Sequence, residues 1–309
     1  MKPLFVVGFQ RSGTTLIRLM LDSHPDIAIP LDTTGLWSRY EQRLDDYDQL
    51  ATSVGREKIV DDLLAEERIT LWEANLDRQA ILAGWTNGTF PGLVSAFYQG
   101  YAESRGKKMW GDKDPGNMLR LDQINRWFPA SRIIHIIRDG RAACLSQLKQ
   151  DFGFDNLLDC ACAWREEVQW VRRMGSLLGP ARYLEIRYED LVIEPETILG
   201  TVCSFLEIRY DGAMLRYHET IPSSVPTAKR HLWPLIGQPP VAENAERWKR
   251  ELKAGQRICF EKRAGPVLRE MGYEVLPLAR GAYSEEVRHF ATLFWRALRR
   301  RIGWSSGRP

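Results

Sequence analysis

The chain lacks any apolar run near the roughly 20 residues that a membrane-spanning helix requires, so no transmembrane segment is expected. Its five cysteines (Cys144, Cys160, Cys162, Cys203 and Cys259) are scattered, odd in number and without C-x-x-C spacing. That pattern argues against a disulfide framework and against a zinc site, and predicts reduced thiols in a cytosol. Cys160-Ala161-Cys162 is expected to put one thiol inward and one outward on a helix. Excess charge is also missing. A net charge of +3 over 309 residues does not suggest bulk nucleic-acid binding. Internal repeats and low-complexity tracts are absent, which excludes solenoids and arrays. Met1-Lys2-Pro3 runs straight into an apolar strand, so no signal peptide is expected.

The most informative absence is one lysine. Gly8-Phe9-Gln10-Arg11-Ser12-Gly13-Thr14-Thr15 has the G-x-x-x-x-G spacing of a phosphate-binding loop, but Thr14 stands where a nucleoside triphosphatase carries its lysine. The run Pro3–Val7 before it reads as a buried strand, and Leu16–Leu21 after it as a helix. Strand, glycine loop and helix make a cradle of backbone N–H groups that suits a phosphate or sulfate. Arg11 offers charge from inside the loop, and Thr14 and Thr15 offer hydroxyls. The expected ligand therefore places an anion here without triphosphate-and-magnesium geometry.

Further along, strands and helices alternate. Ile27–Ile29, Met109–Asp112, Arg132–Ile137 and Tyr183–Ile186 read as strands, with helices over 117–128, 140–149, 157–174, 195–205 and 256–271. That alternation predicts an α/β fold, a parallel sheet with helices on both faces. Residues 36–106 are rich in Asp, Glu, Arg and helix formers and read as a helical insertion after the second strand. Its aromatics (Trp37, Tyr40, Trp72, Trp85, Phe90, Phe97, Tyr98 and Tyr101) either line a cleft or pack. Pro222–Pro240 holds five prolines and reads as an extended loop.

Arg138 ends the strand at Arg132–Ile137, at the carboxyl edge where α/β sheets bind ligands. Ser146 lies about two helical turns on and can face the same crevice. An arginine fork and a hydroxyl suit a phosphate monoester; the structural alternative has Arg138 pairing with Asp139 or capping the helix. In Gly111-Asp112-Lys113-Asp114-Pro115, Lys113 sits at a strand end before a proline turn. Asp32, in Ile29-Pro30-Leu31-Asp32-Thr33, offers a carboxylate as general base, or a helix cap. His24 and His135 are its rivals, one in a turn and one inside a strand.

The R-S-G-T-T segment after an apolar strand resembles the 5′-phosphosulfate loop of sulfotransferases that use 3′-phosphoadenosine 5′-phosphosulfate (PAPS). The likeness is greatest to the branch holding bacterial and protein-tyrosine sulfotransferases. Arg138 and Ser146 fall on that family's 3′-phosphate motif, an arginine and a serine eight residues later. Lys113 falls on the lysine of its N-K-D-P or D-K-T-P turn, which approaches the transferring sulfuryl group. Asp32 falls where the family carries a catalytic glutamate, and is one methylene shorter. Arg187-Tyr188-Glu189-Asp190-Leu191 resembles the family's R-Y-E-D-L segment, with Tyr188 near the cofactor or at a helix entry. In Glu246-Arg247-Trp248, Arg247 matches a basic residue that reaches the cofactor.

The resemblance runs from Phe5 to about Tyr273. It implies a P-loop-kinase-like fold and a PAPS-dependent sulfotransferase, with catalytic Asp32, Lys113 and Arg11. Its cofactor site would comprise Arg11, Ser12, Gly13, Thr14, Thr15, Arg138, Ser146, Tyr188 and Arg247. It implies no metal, and release of 3′-phosphoadenosine 5′-phosphate (PAP). The acceptor is a hydroxyl on a small molecule, a glycan, a glycolipid or a peptide tyrosine. A P-loop small-molecule kinase would need the missing lysine. A nucleotide-binding protein without catalysis is permitted by the Asp-for-Glu change. The expected organisation is a sulfotransferase domain over 1–280, with 36–106 binding the acceptor, and a basic tail over 281–309.

From Arg280 onward the chain has seven arginines and two glutamates. Over 287–302, Phe290, Leu293, Phe294, Ala297 and Leu298 share one helical face. Such a helix docks on its own domain or on a second copy of the chain, or lies on an anionic membrane. The expected location is cytoplasmic, with peripheral membrane contact through this helix as the variant.

Overall fold

The computed structural model describes residues 2–31, 33–150, 154–220 and 237–275. Asp32, most of the proline-rich stretch and the whole basic tail, on which three of the expectations above fall, lie outside the described residues. The chain divides into two compact units: Met1–Ile137 with Trp170–Val241, and Arg138–Gln169 with Ala242–Pro309. The expected division at residue 280 is of a different kind, since it separates only the tail.

The first unit holds the sheet. Strand β1 (Leu4–Val7) feeds a loop and helix α1 (Thr14–Asp22), and the short β2 (Ile27–Ala28) follows. The stretch expected to be a helical insertion is helical. It comprises α2 (Leu36–Glu41), a 3-10 turn, α3 (Ser53–Leu64), α4 (Glu67–Thr70), α5 (Arg78–Gly84) and α6 (Phe90–Ser104). Then come β3 (Met109–Asp112), a 3-10 turn over Pro115–Arg120, α7 (Leu121–Trp127) and β4 (Arg132–Ile137). The strands order as β2-β3-β1-β4 and a fifth, β5 (Tyr183–Arg187), and every pairing is parallel. All six residues of β4 are buried, as an interior parallel strand requires. After β5 come α10 (Tyr188–Ile193), α11 (Pro195–Leu206) and α12 (Tyr217–Thr220).

The second unit holds α8 (Gly140–Gln147), the first half of α9 (Leu157–Leu178), α13 (Glu243–Glu251) and α14 (Ala254–Glu270). Its core forms where the indole of Trp164 on α9 and the ring of Phe260 on α14 close over Gly140. A Cβ at Gly140 would lie 2.5 Å from Trp164 and 2.7 Å from Phe260. On α9, Cys160 is fully buried and Cys162 half-buried, one inward and one outward.

The insertion aromatics pack; they do not line a cleft. All eight are buried, at 0% to 7% exposure. Trp72 stacks on Tyr98 at 5.6 Å, Tyr98 stacks on Trp110 of β3 at 4.8 Å, and Trp110 meets Phe5 of β1 edge-on at 6.0 Å. This run of rings ties the insertion to the strands that carry the loop. Such ring pairs add about 0.5–1.5 kcal/mol each beyond their buried area.

Candidate active site

The loop between β1 and α1 is bent into the left-handed region twice, at Arg11 (φ 67°) and Gly13 (φ 93°). Gly13 takes that conformation without steric cost, whereas Arg11 is strained, as residues at ligand sites often are. The Ser12 N–H donates to the Phe9 carbonyl at 3.0 Å and closes the loop. Ser12 is wholly buried, and its Oγ has no hydrogen-bond partner among the described residues. Gly13 gives α1 no side-chain cap, and no acidic residue sits in the first turn. The helix N-terminus thus keeps its positive end and its donors for an anion.

Both loop glycines are required by close approach. A Cβ on Gly8 would lie 2.5 Å from the Ile136 carbonyl oxygen, and one on Gly13 2.4 Å from Cδ2 of Tyr188. Tyr188, buried at the start of α10, therefore packs its ring against the loop and also serves as the helix entry. Of the two roles the sequence left open, the helix entry is the one observed, and the ring lies against the loop at Gly13.

Lys113 follows β3 at the same carboxyl edge and is buried. The residues on either side of it are both carboxylates. Asp112 Oδ1 accepts from the Thr33 hydroxyl at 2.6 Å, and Oδ2 from Asn117 Nδ2 at 2.7 Å. Asp114 accepts from the backbone N–H of Gly35 and of Gly116, both at 2.8 Å. Burial, then the neighbouring Asp112 charge, pushes the Asp114 carboxyl above its ordinary value, against the pull of those two N–H groups. Arg68 on α4 donates to the Thr34 carbonyl. Upstream, Arg18 of α1 donates to the Ile29 carbonyl, and Asp22 Oδ1 accepts from the Ile29 N–H at 2.9 Å. Asp32 thus lies in sequence between two segments that are each held by α1 or by the Lys113 turn. Asp112, Asp114 and Arg68 were missed by sequence reasoning. The G-D-K-D-P spelling held a signal for one of them, Asp114, because Asp before a proline turn caps that turn.

Neither rival histidine is suited to be the base. Both ring nitrogens of buried His24 are committed. Nδ1 accepts from the Asp26 N–H at 3.0 Å, and Nε2 lies 2.8 Å from the Arg209 carbonyl, so Nε2 carries the proton. His135 is fully buried in β4, its Nδ1 2.6 Å from the Tyr183 hydroxyl. Burial lowers its pKa to about 3, so it stays neutral.

Arg138, Ser146 and Arg247 belong to the second unit. Arg138 is half-buried and continues directly from β4; Ser146 is half-buried on α8. Asp139 caps α8, accepting from the Arg141 N–H at 2.9 Å. Arg141, fully buried, also reaches Glu261 Oε1 at 2.6 Å and the Glu274 carbonyl at 2.8 Å, with its guanidinium 3.7 Å above the Trp248 ring. Arg247, on the exposed side of α13, pairs with Glu251 one turn on. Among the described residues no helix is long and apolar enough to cross a membrane.

The chain matches the family model described as "Sulfotransferase family" over residues 3–212. It is 28% identical over 235 residues to protein-tyrosine sulfotransferase 2 of Gallus gallus, covering 73% of this chain and 57% of that protein. It is 29% identical over 225 residues to protein-tyrosine sulfotransferase 1 of Danio rerio, covering 71% and 56%. The chain therefore spans little more than half the length of these curated relatives. Among solved structures, the sulfotransferase domain from the Synechococcus PCC 7002 olefin synthase is similar with a TM-score of 0.62 and 22% identity. That match covers 89% of this chain and 96% of that one. The sulfotransferase domain from the curacin biosynthetic pathway has the same TM-score at 18% identity, covering 89% and 99%. These two likenesses establish the shared fold.

Proposed function

Because this chain belongs to the sulfotransferase family, we propose that it moves a sulfuryl group from PAPS to a hydroxyl acceptor by in-line displacement. The observation that carries the reading is the loop. It has two left-handed residues, a buried Ser12 hydroxyl with no partner among the described residues, an uncapped helix N-terminus, and no lysine after Gly13. Those features fit the 5′-phosphate of a phosphosulfate, which carries less charge than a triphosphate.

When bound, PAPS supplies the sulfuryl group and a phosphate leaving group. The Gly8–Thr15 backbone and the Ser12, Thr14 and Thr15 hydroxyls hold the 5′-phosphate. Arg11 and Lys113 stabilise negative charge on the sulfuryl and bridging oxygens. Arg138 and Ser146 hold the 3′-phosphate, and the Tyr188 ring backs the loop at Gly13. Asp32 takes the proton from the acceptor hydroxyl. Arg247 would have to leave Glu251 to reach the cofactor. An exposed pair of this kind is worth only about 0.3–0.5 kcal/mol, so the exchange is feasible. The relatives named as protein-tyrosine sulfotransferases make a tyrosine peptide the first acceptor to try.

Titration calorimetry with PAP and with adenosine 5′-phosphate tests the cofactor. PAP should bind at least about 30-fold more tightly, and Arg138→Ala should erase most of the difference, on the order of 2 kcal/mol. Equal affinities would reject the 3′-phosphate site. Incubation with PAPS and an acceptor panel (tyrosine peptide, phenol, sugar, glycolipid) should show by mass spectrometry the gain of one sulfuryl group.

A further inference from the structure

Three consecutive residues after Asp32 are each held by a different charged side chain. The Thr33 hydroxyl donates to Asp112, the Thr34 carbonyl accepts from Arg68, and the Gly35 N–H donates to Asp114. Thr33 and Asp112 are 0% and 1% exposed. Asp112 is also the end of a longer buried chain. The Tyr98 hydroxyl accepts from Trp37 Nε1 at 2.8 Å and hydrogen-bonds to Asp112. Burial, then the Asp112 charge, pushes the Tyr98 hydroxyl well above its ordinary pKa, so it stays protonated and donates. One carboxylate thus collects donors from the turn after Asp32, from α6 and, through Asn117, from the turn after Lys113.

We propose that Asp112 is a positioning residue that sets the Thr33–Gly35 segment, which follows Asp32 in sequence, and the Lys113 turn in one fixed relation, before any ligand binds. This rests on the transferase reading above, in which Asp32 and Lys113 act on opposite partners of the same transfer. The physical reason is dielectric. A buried carboxylate whose two oxygens each accept a hydrogen bond is rigid, because each lost hydrogen bond leaves a desolvated polar group. A misplacement on the order of 1 Å costs about a hundredfold in a positioned reaction. Asp114 and Arg68 supply the second and third points that stop the turn from pivoting about Thr33. Arg68 comes from the insertion, so the element expected to bind the acceptor also touches the turn next to the base.

Thr33→Val removes the hydroxyl at nearly constant volume, and Thr33→Ser keeps it. Amide hydrogen exchange is read first, on the ligand-free protein. In Thr33→Val the peptide over 30–36 should exchange at least about tenfold faster, with the peptide over 8–16 unchanged. Thr33→Ser should match the wild type in both. PAP affinity should stay within about twofold in each variant. With PAPS and the acceptor selected by the panel, Thr33→Val should lower kcat at least about tenfold at unchanged KM for PAPS, and Thr33→Ser should restore it.

Asp112→Asn, which turns one acceptor oxygen into a donor, should reproduce the Val result. Unchanged exchange over 30–36 in both Thr33→Val and Asp112→Asn would overturn the proposal. So would faster exchange with normal kcat. If wild-type protein fails to bind PAP, the transferase reading fails, while the exchange comparison still reports on the clamp by itself.

Discussion

Arg141 grips Asp139 through both carboxylate oxygens, with Nε 3.0 Å from Oδ1 and Nη2 2.7 Å from Oδ2. The same guanidinium holds Glu261 of α14 and sits over the Trp248 ring of α13. One buried cation therefore gathers three helices of the second unit around the N-cap of α8, the helix that carries Ser146. Arg141→Ala would strand two buried carboxylates, which costs about 3 to 5 kcal/mol. Denaturant unfolding should show that loss. A smaller loss should follow for Arg141→Lys, which keeps the charge but not the fork.

Gly13→Ala should disable nucleotide binding without unfolding the protein. The new Cβ meets the Tyr188 ring and is also forced to φ 93°. PAP affinity should fall at least about tenfold in a calorimetric titration. Adding Tyr188→Ala relieves the clash but not the backbone strain, so recovery should be partial. Full recovery would show that the ring contact alone made glycine necessary.

Asp32→Asn should leave PAP affinity unchanged and lower turnover at least about a hundredfold. Asp32→Glu tests whether the turn is built around the shorter acid. His24→Asn provides the contrast. With both ring nitrogens committed to backbone groups, it should lower the thermal midpoint while leaving the pH dependence of kcat in place.

Glu167 on α9 has its pKa raised to about 7 by burial, against 4.5 for an ordinary glutamate. The folded state then holds a proton that the unfolded state has released between these values. The Glu167 contribution to stability is fully present below about pH 4.5 and is lost as pH rises through about 7, where the charged carboxylate is buried. Glu167→Gln should therefore stabilise the protein at pH 8, by about 2 kcal/mol, and much less at pH 5. Thermal melts of both proteins at the two pH values measure the difference. An equal shift at both would assign the effect to packing.

The fold class was legible in the chain because its signals are local. An apolar strand, a glycine loop and a helix are adjacent residues, and the same alternation recurs down to β5. The Gly8–Thr15 loop could be located for the same reason, because strand, loop and helix are contiguous; the contacts with Ile136 and Tyr188 that require its glycines could not. Tertiary structure decided what depends on partners distant in sequence. Whether Trp37, Trp72 and Tyr98 lined a cleft or packed could not follow from their spacing, because Tyr98 finds Trp110 only when α6 lies on β3.

Thr33 and Asp112 are 79 residues apart, so no window of sequence contains their bond. Arg141, which grips Asp139 two residues before it, finds its second carboxylate in Glu261, 120 residues away. Local sequence determines which backbone conformations a segment prefers. Only the packed chain determines which buried charge finds which donor, because that choice is made by desolvation, and desolvation exists only once the elements have closed over the residues.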